Sequence, residues 1–315
     1  MENAELHVIF GAGQVGQRLA EQLAAAGKRV RIVQRSPLAA AGVEVRRGDA
    51  SDRQVCIEAA AGATTLYHCM NPPYSAAVWA DALPRWMDNL IEAAGRNNAR
   101  LVVLDNVYAL GKPAGHLLSE DSPVNPCSPL GEIRARVAQR LFDAHRRGDV
   151  VAMIGRASDF YGPGGGSASF MGDIFWRPAL AGKTVRVPID PDAVHTYHYI
   201  PDVAAGLATL GCAERSAYGG PWMLPCTPAE TMRTLARRCA QYLGREIRLT
   251  EIPRWLPKTL GIVSPPMREL AHMRYQWDEP FVVDDSRFRA RFGVAPTDVE
   301  RAAEKTVAWA REASR

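Results

Sequence analysis

Residues 6 to 16 read Leu6-His7-Val8-Ile9-Phe10-Gly11-Ala12-Gly13-Gln14-Val15-Gly16, an apolar run that passes directly into Gly-x-Gly-x-x-Gly. That order constrains the chain more than any other stretch: a buried first strand, a tight turn, and a helix starting near Gln14. Val15, Leu19 and Leu23 recur at four-residue spacing after the glycines, which gives the helix an apolar stripe to pack on a sheet. Each glycine has its own task. Gly11 permits the turn, Gly13 lets the backbone approach a pyrophosphate, and Gly16 lets helix and strand pack closely. The free amides and positive dipole end at Gln14 and Val15 then face phosphates, so the motif points to a dinucleotide.

The second strand decides which dinucleotide. Arg29-Val30-Arg31-Ile32-Val33 alternates polar and apolar residues and ends in Gln34-Arg35-Ser36, where a carboxylate would select NAD through the ribose hydroxyl. Arg35 instead suits a 2′-phosphate, with Ser36 as a second donor, and the expected cofactor is NADP in preference to NAD.

Further along, Val43-Glu44-Val45 reads as a third strand before Gly48-Asp49-Ala50-Ser51-Asp52. Asp49 can accept from the adenine amino group with Ala50 beside it, and Ser51 or Asp52 can cap the next helix. Thr64 to Met70 reads as a fourth strand, stopped by Asn71-Pro72-Pro73, with Cys69 and Met70 at its cofactor end. A helix over about Asp81 to Asn97, a fifth strand from Arg100 to Leu104, a helix over about Gly131 to Arg147 and a sixth strand from Val150 to Ile154 follow. This alternation predicts an α/β fold, a doubly wound Rossmann-type parallel sheet covered on both faces.

From Asp159 the alternation weakens and Pro and Trp become more frequent. The expected division is a nucleotide-binding domain over 1–158 and a smaller C-terminal substrate-binding region over 159–315, with segments such as 194–212 returning to the first. The second part carries a helix from Ala229 to Leu243 and a terminal helix from about Thr297.

The chain has 315 residues, 47% hydrophobic and 23% charged, with a net charge of +4 spread along its length, which offers nucleic acid and membrane surfaces little to hold. Six cysteines form no Cys-x-x-Cys pair and no zinc spacing, so no metal site is expected. With no signal-like segment and no apolar run of about eighteen residues, the expected location is the cytoplasm.

The ordered motifs resemble those of the extended short-chain dehydrogenase/reductase superfamily, in its NAD(P)-dependent epimerase/dehydratase group. The resemblance is carried by Gly11 to Gly16, Gly48-Asp49, Asp105-Asn106-Val107-Tyr108-Ala109-Leu110-Gly111 and Glu120-Asp121-Ser122-Pro123-Val124-Asn125-Pro126. Gly155-Arg156, Phe160-Tyr161-Gly162-Pro163-Gly164 and His198-Tyr199-Ile200-Pro201-Asp202-Val203-Ala204 continue it. It implies a Rossmann sheet with a substrate domain, a small-molecule substrate and often a homodimer.

The catalytic set implied by the resemblance is altered in this chain. The family's hydroxyl residue falls at Asn106, its tyrosine at Leu130 and its lysine at Arg134. Leucine has no exchangeable proton. Arg134 keeps a permanent charge that can bind ribose or phosphate but is no simple replacement for lysine. Tyr108, two residues beyond Asn106, would share its side on an extended strand end and is the first substitute acid. Asp105 and Tyr161 are weaker candidates.

His195 and His198 flank Tyr197, and on an extended segment they face opposite ways, so each is expected to be a structural histidine, with His195 a lesser candidate for substrate contact. Arg156 could bind a charged substrate group or a loop carbonyl. Trp222, Trp255 and Trp277 could line a pocket or form core. Two functions remain open: an NADP-dependent oxidoreductase or epimerase-like enzyme using Asn106, Tyr108 and Arg134 on a small carbonyl or hydroxyl compound, or a non-catalytic NAD(P)-binding sensor.

Overall fold

The structure, a computed structural model, describes residues 5–38, 42–166, 169 and 171–314. Strand β1 (Leu6–Phe10) leads through the glycine loop to α1 (Gln14–Ala25), then β2 (Arg29–Gln34), β3 (Glu44–Arg47) and α2 (Arg53–Ala59). Strand β4 (Thr65–His68), α3 (Ala76–Arg96), β5 (Arg100–Asn106), α4 (Pro129–Arg147) and β6 (Val151–Ala157) complete the regular alternation. Next come β7 (Asp159–Tyr161), α5 (Asp173–Leu180), β8 (Val185–Val187), β9 (Val194–His195), β10 (Tyr197–Tyr199) and α6 (Ile200–Cys212). The chain closes with β11 (Pro221–Met223), β12 (Glu230–Thr231), α7 (Met232–Leu243), β13 (Leu249–Glu251), α8 (Trp255–Leu260), α9 (Pro265–Met273), α10 (Ser286–Phe292) and α11 (Val299–Ala313).

The doubly wound parallel sheet read from the sequence is the architecture observed. Seven strands run in the order β11-β6-β5-β4-β1-β2-β3, with every neighbouring pair parallel. All five side chains of β1 are buried, because helices cover both of its faces. On one face Val15, Leu19 and Leu23 of α1 pack with Val203, Leu207 and Leu210 of α6. Leu83, Met87 and Leu90 of α3 with Ile133, Val137 and Leu141 of α4 belong to the core on the other. A separate apolar cluster joins Phe175 and Trp176 to Leu235, Cys239 and Val307 in the C-terminal part. Chain order reverses between β1 and β4, and open α/β sheets bind ligands at the carboxyl ends of the strands beside such a reversal.

Several boundaries differ from the sequence reading. Strand β4 stops at His68, because the Met70 amide turns back to His68 Nδ1 at 3.2 Å. Helix α3 begins at Ala76, five residues earlier than its polar-apolar pattern suggests, and this extension places Trp79 in the core with its indole N–H donating to the Pro73 carbonyl at 3.0 Å. Helix α4 begins at Pro129, where the Ser128 hydroxyl accepts from the Gly131 amide at 3.1 Å and proline occupies the first turn at no hydrogen-bonding cost. Strand β11 joins the sheet from a stretch too short to signal itself. Among the described residues no helix is long and apolar enough to cross a membrane.

Candidate functional site

The three glycines of the first loop divide by geometry. Gly11 has φ +100°, and a Cβ there would lie 2.7 Å from Met70 Cγ and 2.9 Å from the Cys69 carbonyl oxygen. A Cβ on Gly16 would lie 1.9 Å from the Gly11 carbonyl oxygen. Above Gly13 nothing comes within 4 Å. Gly11 and Gly16 are therefore required by packing, whereas Gly13 leaves an open approach to the backbone.

Gly13 also caps α1 without any side-chain hydrogen bond, so the first amides of the helix, at Gln14, Val15 and Gly16, keep no side-chain cap. A cavity of about 160 Å³ opens there, lined by Ala12, Gly13, Gln14, Gln17, Arg18 and Glu21, whose carboxylate pairs with Arg18, with Gly164 reaching over from the loop after β7. Gln14 Oε1 accepts from the Gly166 amide at 3.4 Å, tying that loop to the helix. The cradle fits a dinucleotide pyrophosphate.

Arg35 and Ser36 lie exposed just beyond β2. The Arg35 carbonyl accepts from Arg47 Nε at 3.0 Å, and the Ser36 carbonyl accepts from Gln34 Nε2 at 2.7 Å. Half-buried Asp49 accepts from the Ser51 amide at 2.8 Å, and the buried Ala50 carbonyl accepts from Asn89 Nδ2 at 2.8 Å. Of the two caps the sequence offered, Asp52 performs the role, accepting from the Gln54 and Val55 amides. Cys69 and Met70 stand against Gly11 at the carboxyl end of β4.

At the neighbouring strand end the side chains are arranged otherwise than an extended strand would place them. Strand β5 ends at Asn106, whose Oδ1 accepts from the Tyr108 amide at 3.1 Å, and residues 108–110 coil into a 3-10 turn. Tyr108 is thereby turned flat onto Trp79, with ring centroids 6.3 Å apart and planes 5° apart. Its hydroxyl lies 3.5 Å from that of Tyr74. Burial pushes the Tyr108 phenol up to about 12, so it holds its proton at neutral pH. Tyr161 is fully buried against Tyr199, with its phenol raised by the same cause.

Leu130 and Arg134 face inward from the first turns of α4, and Leu130 is wholly buried. Arg134 Nη1 stands 3.2 Å from Asp105 Oδ1, its Nη2 donates to Asn71 Oδ1 at 2.7 Å, and its guanidinium carbon lies 4.6 Å from the Trp79 ring centroid. Arg156 Nε approaches the second Asp105 oxygen at 3.9 Å, and burial lowers its own affinity for a proton. Arg156 therefore faces a carboxylate, not a loop carbonyl as one of its two sequence readings had it.

Of the histidines, His198 is structural: its Nδ1 accepts from the Ser158 amide at 3.1 Å, its Nε2 meets the Leu224 carbonyl at 3.2 Å, and burial depresses it to about 3. His195 is also wholly buried, with Nε2 3.1 Å from Asp159 Oδ2 and Nδ1 3.3 Å from the Gln276 carbonyl. Asp159 was not singled out by sequence, where it reads as the first residue of a loop. Its only signal was its place directly after the sixth strand. Trp277 stacks on His195 at 5.5 Å, Trp222 packs on Phe292 at 4.9 Å, and Trp255 is 63% exposed.

The model of the NAD dependent epimerase/dehydratase family matches residues 8–217. The chain belongs to this family. Solved structures with the same fold include UDP-glucose 4-epimerase of Thermotoga maritima with UDP-glucose, at 15% identity, covering 98% of this chain and 100% of that one, TM-score 0.79. The Thermus thermophilus UDP-glucose 4-epimerase complex with NAD matches at 20% identity over 98% and 99% of the two chains, TM-score 0.76. The UDP-N-acetylglucosamine 4-epimerase of Bacillus cereus matches at 16% over 98% and 97%, TM-score 0.78. No curated protein matches the chain.

This member of the epimerase/dehydratase family has a second cavity, of about 360 Å³, between the segment after β5 and the C-terminal part. Lys112, Arg254, Arg274 and His272 line it with Asp278, Cys127 and Tyr275. Arg274 shares its charge with Glu251 and Asp278, and Arg254 with Glu251, Asp190 and Asp278. Elsewhere among the described residues, Glu5, His7 and Cys212 bring potential ligand atoms within 4.8 Å of one another, but Lys28 already pairs with Glu5 at 2.6 Å.

Proposed function

We propose that the protein is an NADP-dependent oxidoreductase or epimerase-like enzyme acting on a small carbonyl or hydroxyl compound that carries an anionic group. The observation that supports NADP is exposed Arg35 beside exposed Arg47, two guanidinium groups where β2 and β3 end and no carboxylate in the NAD-selecting position. Gly11 to Gly16 would hold the pyrophosphate, Arg35 and Ser36 the 2′-phosphate, Asp49 and Ala50 the adenine side, and Cys69 and Met70 the wall beside the nicotinamide. When bound, the dinucleotide supplies hydride transfer.

The chain's own residues bind and orient. Asn106 and the proton-bearing Tyr108 hydroxyl offer hydrogen bonds to a substrate oxygen, and Arg134 acts as a positioning residue through Asn71 and Asp105. The cavity at Lys112, Arg254 and Arg274, whose arginines are shared with Glu251, Asp190 and Asp278, still offers the Lys112 ammonium and guanidinium N–H groups to an anionic group such as the diphosphate of the UDP-glucose named for one neighbour. Titration of NADPH and NADH against tryptophan fluorescence, with Arg35→Ala beside the wild type, tests the reading. Tight NADPH binding that weakens at least tenfold in the variant, with NADH little changed, supports it; binding of neither nucleotide overturns it.

Buried Leu130 favours a second reading, a dinucleotide-binding sensor without turnover. NADPH consumption with any carbonyl compound eliminates that one.

A further inference from the structure

We propose that Asp159 is the residue that exchanges a proton with the substrate oxygen, and that His195 holds its carboxylate in place, a role left vacant by Leu130. The proposal rests on the oxidoreductase reading above. It begins with the two oxygens that flank His195. Its Nδ1 meets the Gln276 carbonyl at 3.3 Å, and its Nε2 stands 3.1 Å from Asp159 Oδ2, a close contact that lies off the line of a hydrogen bond. Phe281 and Trp277, stacked at 5.2 and 5.5 Å, and Tyr197 at 4.9 Å enclose the ring, and the Asp159 carboxylate meets its Nε2 edge.

Asp159 lies where the chemistry would be. Strands β5 and β6 are paired through Asn106 and Ala157, and Asp159 stands two residues beyond Ala157 at the same sheet edge. Its Oδ2 is buried against His195 while the side chain keeps 16% exposure, which leaves Oδ1 as the oxygen open to the cleft. No described residue donates a hydrogen bond to Oδ1. The titratable groups facing the pair are the phenols of Tyr74, Tyr108 and Tyr197, all raised in part by the Asp159 charge, and His198 behind His195.

The step balances. In oxidation the substrate hydroxyl gives its proton to Asp159 Oδ1, its carbon gives a hydride to the oxidised dinucleotide, and the C–O single bond becomes a carbonyl. Reduction reverses each transfer, and the carboxyl exchanges its proton with water between turnovers. His195 packs against Oδ2 throughout and so fixes which oxygen faces the substrate.

Nitrogen-15 spectra of the histidine rings in the full chain test this, with His195 assigned from His195→Gln. The expected result is a His195 signal that shifts in Asp159→Asn, where the neighbouring carboxylate charge is gone, and shifts again when NADPH saturates the wild type. In an NADPH-linked screen of carbonyl compounds, Asp159→Asn should lose about 100-fold or more in kcat while NADPH affinity is kept, and Asp159→Glu should recover part. If Asp159→Asn does not fold, Asp159→Ser, which also removes the carboxylate, carries the same readings. NADPH binding with an unmoved His195 signal, or Asp159→Asn turnover within about threefold of wild type, overturns the proposal alone. Absence of nucleotide binding overturns the functional reading, and the proposal with it. Where no compound turns over, the two spectral readings decide.

Discussion

Arg134 Nη1 lies 3.2 Å from Asp105 Oδ1, with both side chains more than nine-tenths buried. The cation at the family's lysine position is thus directed into an ion pair under the cleft. With Leu130 buried one turn earlier, the phenol that feels the Arg134 charge is that of Tyr108, across Trp79, and the long planar fork of Arg134 reaches both Asp105 and Asn71.

Removing that cation should cost stability before anything else. Arg134→Met leaves Asp105 buried with only the more distant Arg156 at 3.9 Å, and breaking a buried pair from one side costs about 3 to 5 kcal/mol. Urea denaturation should show a loss in that range, and Arg134→Met combined with Asp105→Leu should recover part of it. A loss under about 1 kcal/mol would mean that water already serves Asp105.

The glycines should separate fold from binding. Gly16→Ala must place its Cβ against the Gly11 carbonyl and Gly11→Ala must adopt φ +100° against Met70, so both variants should melt lower or fail to fold. Gly13→Ala meets no atom within 4 Å and should keep the wild-type melting temperature while losing tenfold or more in NADPH affinity. A Gly13→Ala protein that binds NADPH normally would place the pyrophosphate elsewhere.

How much of this was legible in the sequence follows from what each signal depends on. Strand-helix alternation and the glycine loop are local, and they gave the parallel sheet and the open face above Gly13. The turn of Tyr108 onto Trp79 was hidden, because it depends on the Asn106 side chain capturing the Tyr108 amide after the strand ends. The Asp159–His195 pair joins residues from β7 and β9 that meet only through tertiary packing, and no spacing rule links them. The ion pair at Asp105 was hidden for the same reason: Arg134 looked free because its partner lies on another element.

Acid should destabilise the fold through three histidines held neutral by burial. His7 is depressed to about 4, and His68 and His198 to about 3, against about 6.5 when unfolded. Since the folded values are lower, the unfolded chain binds more protons as pH falls below about 6.5. Stability is complete above that value and declines toward pH 4 by about 1.4 kcal/mol per unit for each histidine, about 4 for all three. Urea midpoints at several pH values should show the decline, and His68→Asn, which keeps an acceptor for the Met70 amide, should flatten it by one proton's worth. An unchanged slope in that variant would mean that His68 is already protonated when folded.

Arg47 should matter to NADPH although the sequence did not single it out. Its Nε donates to the Arg35 carbonyl at 3.0 Å, so it fixes the backbone from which Arg35 projects and adds a second positive charge at the same edge. Both residues are exposed, and a 2′-phosphate bound there would meet two guanidinium groups, with salt weakening the contact. Arg47→Ala should weaken NADPH binding by about tenfold, the equivalent of about 1.4 kcal/mol, and leave NADH within twofold. Raising the ionic strength should narrow the difference between wild type and variant. If Arg47→Ala weakens both nucleotides equally, its role is to hold the loop after β2, and selection of the phosphate rests on Arg35 and Ser36 alone.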